Sequence, residues 1–416
     1  MVGKEKTAFI VIMKQIIFLG TIIVCLLVGG CTPSQDFDYK LNSIVRPYHF
    51  GITRWELGAI PHELNKWLFG RSEKIDDEIS VVIEFFTATE RTKTLRSKIA
   101  IAYANNEKND LSVLEGELKT LQERRRVLQD SVEKIVERQI REALNKQGIF
   151  NPLLDIRVNF PPLNFALEKP PYVLVVSPRD RIESIREITL QPSIVLEEIQ
   201  DIEARVDELG VSALIVAIGG LGATYPTFVT NEASLQYTIE AATEEWLHQY
   251  LVLKPLGFLY LLDATGLSRN YEIATMNETV AGIVSKEISN IVYEKYYSEY
   301  DNGASQNQTE ESESDFDREM REIRKTVDAY LAKGEIEQAE EFMEERRQYL
   351  ESIGYHIRKL NQAYFAFHGT YADEPAFISP IGLELQELRS QSSSLKDFLN
   401  TVAAMTSRQD LIDSIR

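Results

Sequence analysis

The chain has 416 residues, 44% of them hydrophobic and 26% charged, with a formal net charge of −19. That size and mix describe a globular protein of about two to three domains with enough apolar side chains for a core. The acidic balance argues against nucleic acid and against an anionic membrane surface as partners.

Residues 1–30 read as an export signal. Gln15 to Gly30, QIIFLGTIIVCLLVGG, follows Lys14 and ends in two small residues before Cys31. A basic region, an apolar run and small residues before a cut are the parts of a secretory leader. With Cys at the cut, the segment resembles a bacterial lipoprotein signal. That resemblance implies cleavage before Cys31, a lipid on Cys31 as the membrane anchor, and an extracytoplasmic place in the cell envelope. On length alone a retained transmembrane helix is the alternative, but polar TPSQD directly after Cys31 favours cleavage. Cys25 would leave with the leader, so the exported chain has no second cysteine for a disulfide.

Residues 31–86 combine a tether with a short aromatic-rich packed segment. Within it, Ile79 to Phe86, ISVVIEFF, reads equally as helix or strand. Residues 87–150 form a helical arm. Leu111, Leu114, Leu118, Leu121, Val127 and Leu128 recur near a three-to-four spacing among charges. The pattern suits a helical hairpin, a coiled-coil-like arm, or a solvated helix packed on one side against the body. Residues 151–298 change character. LDIRVNF alternates like a strand, Tyr172–Val176 is a buried-strand run, and SIVLEEIQDIEARVDELG is an amphipathic helix stopped at Gly210. Ser212–Ile218 is a further strand leading into GGLGATYP. Helices are expected at about 234–253, 258–266 and 273–298. Residues 299–318 are acidic and poor in hydrophobes, the composition of a disordered insert. Two or three more helices complete residues 319–416. The fold class is α+β and predominantly helical, with a small sheet, the long arm and C-terminal helices.

The chemistry concentrates in Glu244-Glu245-Trp246-Leu247-His248. On a helix, positions four apart share a face, so Glu244 and His248 can point at one metal ion. Glu245, about 100° around, can reach a water on that ion from the side. Thirty residues on lies Asn277-Glu278-Thr279-Val280-Ala281. This ordered pair of motifs resembles the core of gluzincins, the thermolysin-like zinc peptidases, with the first histidine of H-E-x-x-H replaced by glutamate. The resemblance implies Glu245 as general base and His248 and Glu278 as ligands. It places Glu244 where a histidine ligand stands, and an edge strand before the motif helix along which a peptide lies. Ser212–Ile218 with the Gly-rich turn occupies that place, and Gly219, Gly220 and Gly222 permit close backbone approach. It also suggests His368 or Tyr371 as an oxyanion stabiliser, although nothing local separates them from packing residues.

A Glu/His/Glu set makes a zinc centre formally neutral, a weaker Lewis acid than one with two imidazoles. The expected cofactor is a single ion, Zn2+, with Mn2+ or Fe2+ as harder alternatives. Two other readings lose ground. A di-iron bundle needs a second E-x-x-H, and no other Glu is followed three residues later by His. The Gly-rich turn lacks the Lys-Ser/Thr of a P-loop. The expectation is therefore a membrane-anchored metallopeptidase acting on peptide or protein, the alternative an inactive relative that binds a partner.

Overall fold

A computed structural model describes residues 35–51, 77–104, 111–153, 157–221, 224–300, 315–369 and 379–415. The leader, Cys31, Gly222, Tyr371 and most of the acidic insert lie outside the described residues. Among the described residues no helix is long and apolar enough to cross a membrane.

The first elements are α1 (Gln35–Val45), α2 (Glu78–Ala104) and α3 (Leu111–Lys146). ISVVIEFF resolves as helix, because Val82, Phe85 and Phe86 fall on one buried face of α2. α2 and α3 pack as a hairpin. At about 1.5 Å per residue, the 36 residues of α3 span about 54 Å. Its buried side chains begin at Leu128 and run to Leu144. The C-terminal half of α3 is therefore built into the core, while the half before it carries the charged, exposed face.

Six strands follow: β1 (Phe165–Glu168), β2 (Tyr172–Pro178), β3 (Arg186–Leu190), β4 (Val211–Ala217), β5 (Gly220–Leu221) and β6 (Thr227–Thr230), with α4 (Leu196–Asp207) between β3 and β4. The expected strand in LDIRVNF is not found. Its described residues, 157–160, are irregular, and the strand forms only after the Pro161-Pro162 pair, where β1 can donate its N–H groups.

The strands make two sheets. One is antiparallel, in order β3-β2-β4, and the other mixed, in order β1-β6-β5 with β1 parallel to β6. In the first, alternate side chains of β2 enter different cores. Leu174 and Val176 join α1 and α4, whereas Val175 packs with Ala363, Tyr364 and Phe367 of a later helix. Burial on both faces explains why β2 reads as an unbroken apolar run.

The rest is helical: α5 (Leu235–Leu251), α6 (Pro255–Ala264), α7 (Tyr271–Tyr296), α8 (Asp315–Ala332), α9 (Ile336–Ser352), α10 (Gln362–His368), α11 (Ile381–Gln391), α12 (Leu395–Ala403) and α13 (Arg408–Ser414). Among the described residues six helices occupy the C-terminal region rather than two or three, and the first begins at Asp315, inside the expected insert. Asn361, Ser394 and Ser407 each accept a hydrogen bond from the backbone N–H three residues on. These caps start new short helices within stretches whose apolar pattern reads as continuous. The largest core wraps α5 and α7, with the bases of α2 and α3, β1, β6 and α11 to α13 around them.

Candidate metal centre

α5 begins at Ser234, whose hydroxyl accepts from the Tyr237 N–H, and α7 at Asn270, whose side chain accepts from the Ile273 N–H. The two helices pack through Trp246, Leu247, Leu251, Met276, Val280 and Ala281, all at most 2% exposed. Trp246 is fixed further by donating its indole N–H to the Pro161 carbonyl at 2.8 Å. This packing sets the rotation of α5. With Trp246 and Leu247 inward, Glu244 and His248 turn to the flank where Glu278 of α7 arrives.

Glu244, His248 and Glu278 come together, each offering a donor atom within 4.8 Å of the others, a group that can hold a metal ion. His248 Nδ1 lies 2.8 Å from Asn277 Oδ1. An amide oxygen only accepts, so Nδ1 carries the proton and Nε2 is left for a ligand. Nε2 faces Glu278 Oε2 at 3.5 Å, with the two side chains 16% and 8% exposed. Tyr260 of α6 donates its hydroxyl to Glu278 Oε1 at 2.6 Å and stacks on the His248 ring, centroids 5.7 Å apart. The donor set fits a divalent cation: one imidazole in the right tautomer and two carboxylates converging from two rigid helices.

The electrostatics of the group follow from its burial. Burial pushes the Glu244 carboxyl up to about 8, against the pull of His248 and with Glu245, Glu278 and Glu240 adding repulsion. Burial opposes a charged His248, but the charge and hydrogen bond of Glu278, with Glu245 and Glu244, outweigh it and raise the imidazole to about 10. For Glu278 burial favours the neutral acid. The charge and hydrogen bond of His248 and the Tyr260 hydroxyl outweigh that effect and hold it below its ordinary value.

Glu245 points elsewhere, toward β5. A β-carbon built on Gly220 would lie 2.4 Å from Glu245 Oε1, so a larger residue there would push the Glu245 side chain aside. A β-carbon on Gly219 would likewise meet the Tyr237 hydroxyl. The strand expected at Ser212–Ile218 forms as β4, one residue earlier at each end. β4 does lie at the edge of its sheet, but that edge is sealed. Ala213 and Ile215 donate to Asp207 and Glu203 of α4, while Asn361 and Arg358 donate to their carbonyls. β1 is sealed by Glu133, Glu137 and Gln129 of α3. Along β3 the chain at 48–50 supplies the partners. β5 is different. Gly219 accepts from Thr230, and Gly220 pairs with Val229 one step on, so strand alternation turns the N–H and C=O of Gly220 away from β6. Among the described residues no comparable cap covers that edge.

His368 is not gathered into this group. It ends α10, its ring against Tyr364 and Phe367, beside the β3-β2-β4 sheet. Tyr371 lies outside the described residues. Sequence reasoning missed Tyr260, which sits in a wholly apolar-looking stretch, and assigned no role to the Asn277 amide. The nearest signal was position: Tyr260 lies between the two motifs, on the helix that must connect them. No protein-family model, no curated protein and no solved structure matches this chain.

Proposed function

We propose that the protein is a metal-dependent peptidase with a gluzincin-like core, tethered to a bacterial membrane through a lipid on Cys31 and facing away from the cytoplasm. One observation carries this reading: Glu244, His248 and Glu278 converge beside a glutamate that lies against Gly220 of β5, whose outward edge has no side-chain cap among the described residues. Zn2+ is the ion we assign, with Mn2+ or Fe2+ favoured if the second carboxylate weakens zinc binding. A bound cation supplies polarisation of the scissile carbonyl and acidification of a water.

The chain's own residues would do the rest. An extended peptide would add to β5 through the N–H and C=O of Gly220, which fixes the height of its backbone above α5. Glu245, pressed against Gly220, would accept the proton of the attacking water and pass it to the leaving amine. Asn277 holds the His248 proton on Nδ1 throughout. The reading predicts that zinc-loaded residues 32–416 cleave unstructured peptides and lose that activity to a chelator and to Glu245→Gln. A Glu245→Gln preparation with full activity would refute the assignment of the base.

A second reading rests on the arm. Ile101, Tyr103 and Val113 stand exposed on its outer half, a surface suited to a protein partner. On that reading the metal group is a structural remnant, and loss of metal leaves partner binding intact.

A further inference from the structure

We propose that Tyr260 is a positioning residue that keeps Glu278 a one-oxygen donor, a role that rests on the metal site proposed above. A carboxylate can hold a cation with one oxygen or chelate it with both. Here the two oxygens of Glu278 are in different hands. Oε1 takes the Tyr260 hydroxyl at 2.6 Å, while Oε2 is the atom nearest His248 Nε2 at 3.5 Å. Only Oε2 remains to meet an ion shared with His248.

The same side chain restrains a second donor. The Tyr260 ring stacks on His248 with 24° between planes, and Asn277 holds the other side of that imidazole. One residue thus sets the orientation of two of the three donors. Its own position is built in by the turn between α5 and α6. A β-carbon on Gly257 would lie 2.1 Å from the Leu251 carbonyl carbon, so only glycine lets α6 fold back closely enough over the end of α5. Leu256 and Gly257 are buried in that contact, which brings Tyr260, one turn on, over His248.

The need for such a strut follows from the Glu244 substitution itself. Two imidazoles and one carboxylate would leave a single flexible donor. Two carboxylates and one imidazole leave two, and if both chelate they fill the position that a reacting water and carbonyl require. Tyr260 removes one of those freedoms.

The test uses Co2+ and Zn2+ on residues 32–416, comparing wild type with Tyr260→Phe, which keeps the ring and deletes the hydroxyl. A four-coordinate cobalt site absorbs strongly in the visible and a more highly coordinated one weakly. We expect Tyr260→Phe to lose most of that intensity and to bind zinc about 10- to 100-fold more weakly, with the melting temperature of the metal-free protein little changed. 4-Aminophenylalanine at position 260, which restores a donor, should recover both. A wild type that binds metal, paired with a Tyr260→Phe protein of identical spectrum and affinity, would overturn the role of Tyr260 alone. A wild type that takes up neither ion would overturn the metal site and this role together.

Discussion

The outer edges of β4 and β5 lie only a few residues apart in sequence and are treated in opposite ways. Along β4 every outward N–H and C=O at Ala213 and Ile215 meets a side chain, and the carboxylate of Glu203 is held in turn by both terminal nitrogens of Arg358. Along β5 the outward residue is a glycine lying on Glu245. Exposed edges invite pairing with other chains, and proteins usually block them. Among the described residues β1 and β4 are blocked along their outer edges, whereas β5 carries no such cap and lies beside the Glu244, His248 and Glu278 group.

Substitutions on the two edges should therefore fail differently. The largest expected effect is at Glu245. Glu245→Gln should lower peptide cleavage by about 10²- to 10⁴-fold, as loss of a general base does, with zinc content and melting temperature retained. At β4, Glu203→Ala should destabilise the fold by about 2 to 4 kcal/mol, since it strands Arg358 and the Ile215 N–H. That loss is read by denaturant unfolding, and zinc affinity should stay within a factor of two or so of wild type. Gly220→Val should do the reverse. It pushes Glu245 aside and blocks the edge, so activity should fall about 100-fold while unfolding changes by about 1 kcal/mol or less. If Gly220→Val were silent in a peptide-cleaving preparation, β5 would not be the substrate edge. Smaller still, Glu133→Gln on the sealed β1 edge should cost about 1 kcal/mol, because the amide oxygen can still accept from Leu167.

A pH series sharpens the same contrast. Glu244 and His248 have folded values raised to about 8 and about 10 from ordinary values of 4.5 and 6.5. Both groups bind protons more tightly in the folded chain. The stability they contribute is complete below about pH 4.5 and is lost as pH rises through 8 and then 10. The metal-free protein should thus lose stability across that window, whereas zinc, which needs both groups deprotonated, should bind more tightly as pH rises. Calorimetry of apo and zinc-loaded protein from pH 5 to 9 reads both slopes. Parallel slopes would mean that zinc does not sit on these two groups.

Much of this site was legible in the sequence, for a physical reason. Helical periodicity alone places Glu244 and His248 on one face, and the Asn-Glu pair of NETVA supplies both a donor and the amide that orients His248. Tyr260 was not legible, because its meaning depends on how sharply α6 folds back, and that depends on a single glycine meeting a backbone carbonyl. The fold showed the same division. β2 was readable because both its faces are buried. The LDIRVNF alternation misled: its described residues, 157–160, pair with no strand and run straight into Pro161-Pro162, which cannot donate to a ladder. β5 was not foreseen because it is two residues long and carries no pattern. Full sealing of β4 was equally invisible, since the caps on its carbonyls come from Arg358 and Asn361, more than 140 residues away.

The central claim is that Glu244, His248 and Glu278 hold one divalent ion. Elemental analysis of purified residues 32–416 after zinc loading and removal of free metal tests it most directly. Wild type and Glu245→Gln should each hold about one equivalent of zinc, and His248→Ala and Glu278→Ala far less. A wild type without bound metal under every loading condition, or one whose zinc survives both alanine substitutions, would contradict it.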